Sequence, residues 1–164
     1  MSKRLVIAEK PSVALDLAKV LGPHDVKEGG DWYETGDFVI SYAMGHLLEL
    51  VAPEHYKKEW QNWSLKQLPM LPDDFAYAPR DKKAATRLKL LRKLSKREDV
   101  SGIVNACDAG REGELIFRYI VQHVKAKQPM KRLWLQSMTP TAIHDGFEHL
   151  RNDDEMLPLA SAAT

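Results

Sequence analysis

Residues 102–114 read Gly-Ile-Val-Asn-Ala-Cys-Asp-Ala-Gly-Arg-Glu-Gly-Glu, and the change of pattern inside them decides the fold. Residues 102–107 are a short, largely apolar run, the mark of a strand buried on both faces. Asp108 ends it, Gly110 offers a backbone position other residues avoid, and Leu115, Ile116, Tyr119, Ile120 and Val124 then recur at helical spacing. The chain begins with the same strand, turn and helix. Arg4-Leu5-Val6-Ile7-Ala8 is a short apolar strand, and Pro11 suits the first turn of a helix carrying Val13, Leu17, Val20 and Leu21, which Gly22-Pro23 ends. A third strand is predicted over residues 132–136, after which Thr139 caps and Pro140 opens a helix burying Ile143, Phe147 and Leu150. Strands alternating with helices become parallel neighbours, because each crossover is helical. The expected fold is α/β, a Rossmann-like parallel sheet with helices on both faces.

Two departures from that rhythm are expected. Residues 31–43 read as a β-hairpin turning at Thr35-Gly36, and residues 53–79 are rich in proline and aromatics without either period, an ordered but irregular insertion. Together they make an insertion at about 24–80 in a domain spanning 1–151, and residues 152–164 read as a truncated connection to a missing domain. Residues 80–97 hold nine basic residues against one acid, Asp81, so this stretch carries +8 and the rest of a +1 chain carries −7. Ala84, Leu88, Leu91 and Leu94 give it an apolar stripe, so it reads as a helix.

Composition excludes several classes. No run approaches the ~18 uninterrupted apolar residues of a membrane-spanning helix, and the apolar run after Met1-Ser2-Lys3-Arg4 is too short for a signal-peptide core, so a cytoplasmic protein without a membrane partner is expected. The lone Cys107 allows neither an internal disulfide nor a cysteine-rich zinc site. It reads as a small buried residue.

In open parallel sheets ligands gather beyond the carboxyl ends of the strands. Glu9 and Lys10 follow the first strand, and Asp108, Arg111, Glu112 and Glu114 follow the strand at 102–107. Carboxylates from separate segments would share one rim, where a cation or protonation must relieve their repulsion. Oxygen donors without His or Cys suit a hard ion, Mg²⁺ first. Arg111 is placed to hold a phosphate beside it. On the acids of 112–114 alone, a favourable helix N-terminus accounts for the sequence equally well; their coincidence with Glu9 favours a metal site.

Taken in order, Ile7-Ala8-Glu9-Lys10-Pro11-Ser12, Gly45-His46-Leu47-Leu48-Glu49-Leu50, Asp108-Ala109-Gly110-Arg111-Glu112-Gly113-Glu114 and Arg132-Leu133-Trp134 with Thr139-Pro140 resemble the Toprim domain of type IA DNA topoisomerases, nearest the topoisomerase III branch. The resemblance runs from Lys3 to about Arg151. It implies that Glu9 is the general acid or base at the leaving sugar oxygen, that Lys10 lies beside the scissile phosphate, and that Asp108 and Glu112 are metal ligands with Glu9. The middle acid of the family's Asp-x-Asp-x-Glu motif is Gly110 here, and Gly110→Asp would be expected to tighten the metal if the backbone tolerates it. The implied activity is Mg²⁺-dependent breakage, passage and rejoining of single-stranded DNA in the full-length enzyme, associated with the nucleoid. The nucleophilic tyrosine would come from a later domain, because Tyr33, Tyr42, Tyr56, Tyr77 and Tyr119 read as packing residues; the fragment alone would be inactive.

His46 is placed by its motif at the site, and Lys82, Lys83, Arg87 and Lys89 are expected to contact DNA phosphates, although a solvated helical face explains them equally well. Trp60 and Trp63 read as filling hydrophobic corners before stacking on bases. Other readings of the same motifs are a free-standing Toprim nuclease or primase-like enzyme, and a non-catalytic module that docks DNA.

Overall fold

The computed structural model describes residues 2–62 and 64–163, so Trp63 lies outside the described residues. β1 (Lys3–Ala8) is the centre of a seven-stranded sheet. It pairs in parallel with β4 (Phe38–Tyr42) on one side and β7 (Val100–Ala106) on the other, and β7 pairs in parallel with β8 (Met130–Arg132). Successive β1 side chains take opposite faces. Leu5 and Ile7 face the layer of α2 (Lys82–Ser95) and α3 (Arg111–Val124), and Val6 and Ala8 face α1 (Pro11–Leu21) and α4 (Pro140–Glu148). These four β1 side chains are sealed from water, Leu5, Val6 and Ile7 each contributing about 1.5–3 kcal/mol.

The hairpin forms as expected: β3 (Trp32–Glu34) is antiparallel to β4, and β2 (Asp25–Lys27) extends it. The insertion contains three short 3₁₀ turns and a two-stranded sheet that its sequence did not signal, β5 (Leu48–Leu50) against β6 (Tyr77–Pro79). Three residues are too few to show alternation. α2 has the predicted stripe, its N-terminus capped by Asp81, whose carboxylate accepts from the Ala84 amide at 2.7 Å. Thr139 caps α4 in the same way.

The third strand lies earlier than predicted, at Met130–Arg132 instead of 132–136. One further rung forms, from the Leu133 amide to the Asn105 carbonyl, and the ladder then stops. The next carbonyls of the neighbouring segment, Cys107 and Asp108, are taken by the Arg132 guanidinium. Beyond residue 150, β9 (Arg151–Asn152) pairs with β8, a 3₁₀ turn follows, and α5 (Leu157–Ser161) packs on α3. Met156 is buried there, and Arg118 grips Asp153 at 2.7 Å.

Candidate active site

Two strand ends and one loop build the site. Glu9 follows β1, and its carbonyl accepts hydrogen bonds from the Met44 and Gly45 amides at 2.9 and 3.2 Å. That clamps the loop after β4 to the end of β1 and brings in His46. Asp108 follows β7, and its amide donates to the Glu9 carboxylate at 3.1 Å. Glu9 and Asp108, ninety-nine positions apart, are therefore adjacent.

The turn from β7 into α3 is fixed by two glycines. Gly110 has φ +148° and ψ 178°, a region that side-chain-bearing residues avoid. At Gly113 a Cβ would lie 2.0 Å from the Asp108 carbonyl oxygen, so only glycine lets the first turn of α3 approach that close. The Gly110 conformation bears on the condition attached to that position, backbone tolerance. An aspartate could enter there only by reshaping the turn, so the missing acid is not a vacancy that one substitution fills.

Arg132 holds the same segment from below. Fully buried, it donates to the carbonyls of Cys107 and Asp108 at 2.6 and 2.9 Å and to the Asn105 side chain at 2.9 Å. Its Nε lies 2.9 Å from Glu114 Oε1, off the N–H axis, so the contact is an ion pair without a hydrogen bond. Glu114 also accepts from Asn105, and Arg118 approaches it at 3.6 Å. Burial pushes the Glu114 carboxyl up and the Arg132 guanidinium down from their ordinary values, and their mutual attraction opposes both shifts. Glu114 is thus an interior counterion and cannot serve as the substitute metal ligand its place in the motif suggests. Arg132 stood in the sequence only as part of a motif and was given no role; a cation inside an apolar strand was the available signal.

The resulting cavity, about 580 Å³, is lined by Glu9, His46, Asp108, Arg111 and Glu112. Lys10 pairs with Asp108 at 3.0 Å, and His46 Nε2 lies 3.0 Å from Glu112 Oε1. The hydrogen bond to Asp108 raises the Lys10 ammonium above its ordinary value. Arg111 makes no ion pair among the described residues and is free for an anion. Cys107 is buried beneath, its thiol pushed up by desolvation.

The donors suit a hard cation: three carboxylates on one cavity, each now held by a cationic or N–H partner. Among the described residues no three acids, histidines or cysteines close into a ligand shell, so water would complete the coordination of an ion held here.

The structure does not bring the expected DNA-contacting residues of α2 into this cavity. Lys82 and Lys83 line a separate groove of about 410 Å³ beside Met44, and Lys89 is exposed further along α2. Arg87 is corrected outright. It is buried, donates to the Asp31 backbone and carboxylate and to Tyr42, and stacks 4.0 Å over the Tyr42 ring. Its charge has a partner already, so it stands in the wall of that groove as an engaged cation, unlike Lys82 and Lys83.

Residues 4–138 match the model of the Toprim domain family. The chain is 43% identical over 163 residues to DNA topoisomerase 3 of Bacillus licheniformis, covering 99% of this chain and 22% of that protein. It is 42% identical over 163 residues to DNA topoisomerase 3 of Shouchella clausii, covering the same shares, and 43% identical over 155 residues to that of Bacillus subtilis, covering 94% and 21%. The chain thus spans about a fifth of the length of the curated relatives it matches. Its fold is similar to that of full-length topoisomerase I from Thermotoga maritima, with a TM-score of 0.57 at 19% identity, covering 93% of this chain and 22% of that one. Among the described residues no helix is long and apolar enough to cross a membrane.

Proposed function

The chain belongs to the Toprim domain family, and from that premise we propose that it supplies the acidic half of a site that breaks and rejoins one DNA strand, as the N-terminal part of a type IA topoisomerase of the topoisomerase 3 kind. The observation that carries the reading is the Glu9 carboxylate bonded to the Asp108 amide, with His46, Arg111 and Glu112 around the same cavity and Lys10 paired to Asp108 at its edge.

In this reading a tyrosine from outside these 164 residues attacks a backbone phosphorus, the bond to the 3′ oxygen breaks, and the 5′ phosphate is left on the tyrosine. Glu9 donates the proton that the leaving 3′ oxygen needs and takes it back when that oxygen attacks in rejoining. Lys10 and Arg111 hold the non-bridging phosphate oxygens. His46 orients Glu112. Asp108, Glu112 and Glu9 would hold Mg²⁺, which when bound supplies positive charge against the phosphate oxygens. The substrate is single-stranded DNA at the nucleoid in the cytoplasm, steered past the exposed Lys82, Lys83 and Lys89. No ATP is required, because the phosphotyrosine link conserves the energy of the bond.

The test is a chimaera in which this chain replaces the matching 155 residues of the Bacillus subtilis relative, assayed on negatively supercoiled plasmid. Relaxation that needs Mg²⁺ and is lost in Glu9→Gln is expected. A folded chimaera that never relaxes plasmid contradicts the reading, and metal-dependent nicking by the isolated chain assigns a nuclease instead.

A further inference from the structure

The opposite edge of the sheet carries a second charged feature. α2 and α3 both run away from the carboxyl ends of the strands, so their C-termini meet at the amino edge, remote from Glu9. Between the end of α2 and the segment after α3 lies a pocket of about 650 Å³, lined by Arg92, Lys96, Arg97, Lys125 and Lys127 with no carboxylate in its wall. Arg97 is engaged by Glu34 and Asp99 at 2.6 and 2.7 Å. Arg92, Lys96, Lys125 and Lys127 are exposed and make no ion pair among the described residues.

Helix ends explain only part of this charge. Each C-terminus carries about half a negative charge, so two ends offset roughly one of the four free cations. About three positive charges remain. Lys125 makes the excess harder to dismiss: it closes α3 in the left-handed conformation at φ 56°, a place where glycine is the unstrained choice. The pocket is also held open in a fixed shape, because the Gln128 amide donates to the Ser95 carbonyl and ties the two walls together. The His123 imidazole, beyond the pocket wall, is held below its ordinary value first by burial and then by the Arg92 charge.

We propose that this pocket is a second binding site for the phosphodiester backbone of single-stranded nucleic acid. The inference rests on the reading of the chain as a DNA-processing domain. It adds a contact remote from the chemistry, able to hold a strand that the cleavage site does not. Four exposed cations spread over two elements match a linear polyanion with regularly spaced charges, and the Arg92 guanidinium can take a phosphate in a bidentate fork.

The experiment measures binding of a fluorescein-labelled twelve-residue oligothymidylate to the 164-residue chain by anisotropy across a salt series. Each phosphate contact to a single strand contributes about 0.7 to the slope of log affinity on log salt. Arg92→Ala/Lys96→Ala/Lys125→Gly/Lys127→Ala should therefore lower the slope by about 2.8 and weaken binding at least about tenfold at low salt. The milder Lys96→Gln/Lys127→Gln, which alters only exposed side chains, should lower the slope by about 1.4 and guards against a misfolded quadruple variant. Glu9→Gln should leave this contribution intact. Unchanged slopes in both pocket variants, with loss in Lys82→Ala/Lys83→Ala, overturn the second site and leave the proposed function standing. A wild-type chain that ignores the oligonucleotide overturns the second site and leaves the proposed function to the chimaera. Equal binding of a twelve-residue polyglutamate, lost in the same variants, overturns the nucleic-acid assignment in favour of an acidic protein partner.

Discussion

Replacing Arg132 by leucine tests how the site is held. The substitution removes the donors to the Cys107 and Asp108 carbonyls and to the Asn105 side chain, together with the ion pair to Glu114. Glu114 is sealed from water, so its charge would be left with the Asn105 amide at 2.9 Å and the 3.6 Å approach of Arg118, the one remaining cation beside it among the described residues. Removing one partner of a buried pair costs about 3–5 kcal/mol, and the remaining Arg118 contact places the expectation near the lower end, about 3 kcal/mol. Against a total of about 5–15 kcal/mol for a domain, that leaves Arg132→Leu folded but marginal. Urea unfolding at neutral pH measures it. The double variant Arg132→Leu/Glu114→Leu removes the stranded charge and should recover at least half of the loss. A single variant within about 1 kcal/mol of wild type, or a double variant no better than the single, would refute the role assigned to the pair.

Three further outcomes follow from the same geometry. Gly113→Ala should cost about 1–3 kcal/mol by urea unfolding and abolish calorimetric Mg²⁺ binding, because its Cβ meets the Asp108 carbonyl at 2.0 Å; normal stability with normal binding would show that the turn yields. Gly110→Asp and Gly110→Ala should both lose about 1–3 kcal/mol with no tighter Mg²⁺ binding, since the backbone at φ +148° disfavours either side chain; tighter binding by the aspartate variant would restore the vacancy idea. Burial works to raise the Glu34 carboxyl, but hydrogen bonds and charge from Arg97 and Lys3 outweigh it and hold it below 4.5. A depressed acid stabilises the fold above its unfolded value and loses that contribution as pH falls through its folded one. Thermal melts between pH 7 and pH 3 should therefore fall less steeply for Glu34→Gln than for wild type, and parallel curves would exclude the pair as a source of acid sensitivity.

Much of the fold was legible because period and punctuation agreed. Residues 4–8 and 102–107 are apolar runs ended by acids and followed by helical spacing, and the sheet is built around them. The third strand was misplaced because Leu133-Trp134-Leu135 is as apolar as a strand, while its end is set by a tertiary event, the capture of the Cys107 and Asp108 carbonyls by Arg132. The members of the site were legible too, since strand ends in a parallel sheet converge. What the sequence hid was which charges are already partnered: Arg87 looked like its basic neighbours, and Glu114 like Glu112. Two positions along a helix, about half a turn, separate a solvated charge from a buried one, and only the packing of α2 and α3 decides between them.

The central claim is that Glu9, Asp108 and Glu112 gather around one hard cation. Titrating Mn²⁺ into the ¹⁵N-labelled chain and following amide line broadening tests it directly. The account predicts that the amides of Glu9, Asp108 and Glu112 broaden together at the same metal concentration, with excess Mg²⁺ restoring all three. Broadening centred elsewhere in the chain, with the Glu9, Asp108 and Glu112 amides all sharp at saturation, would contradict it.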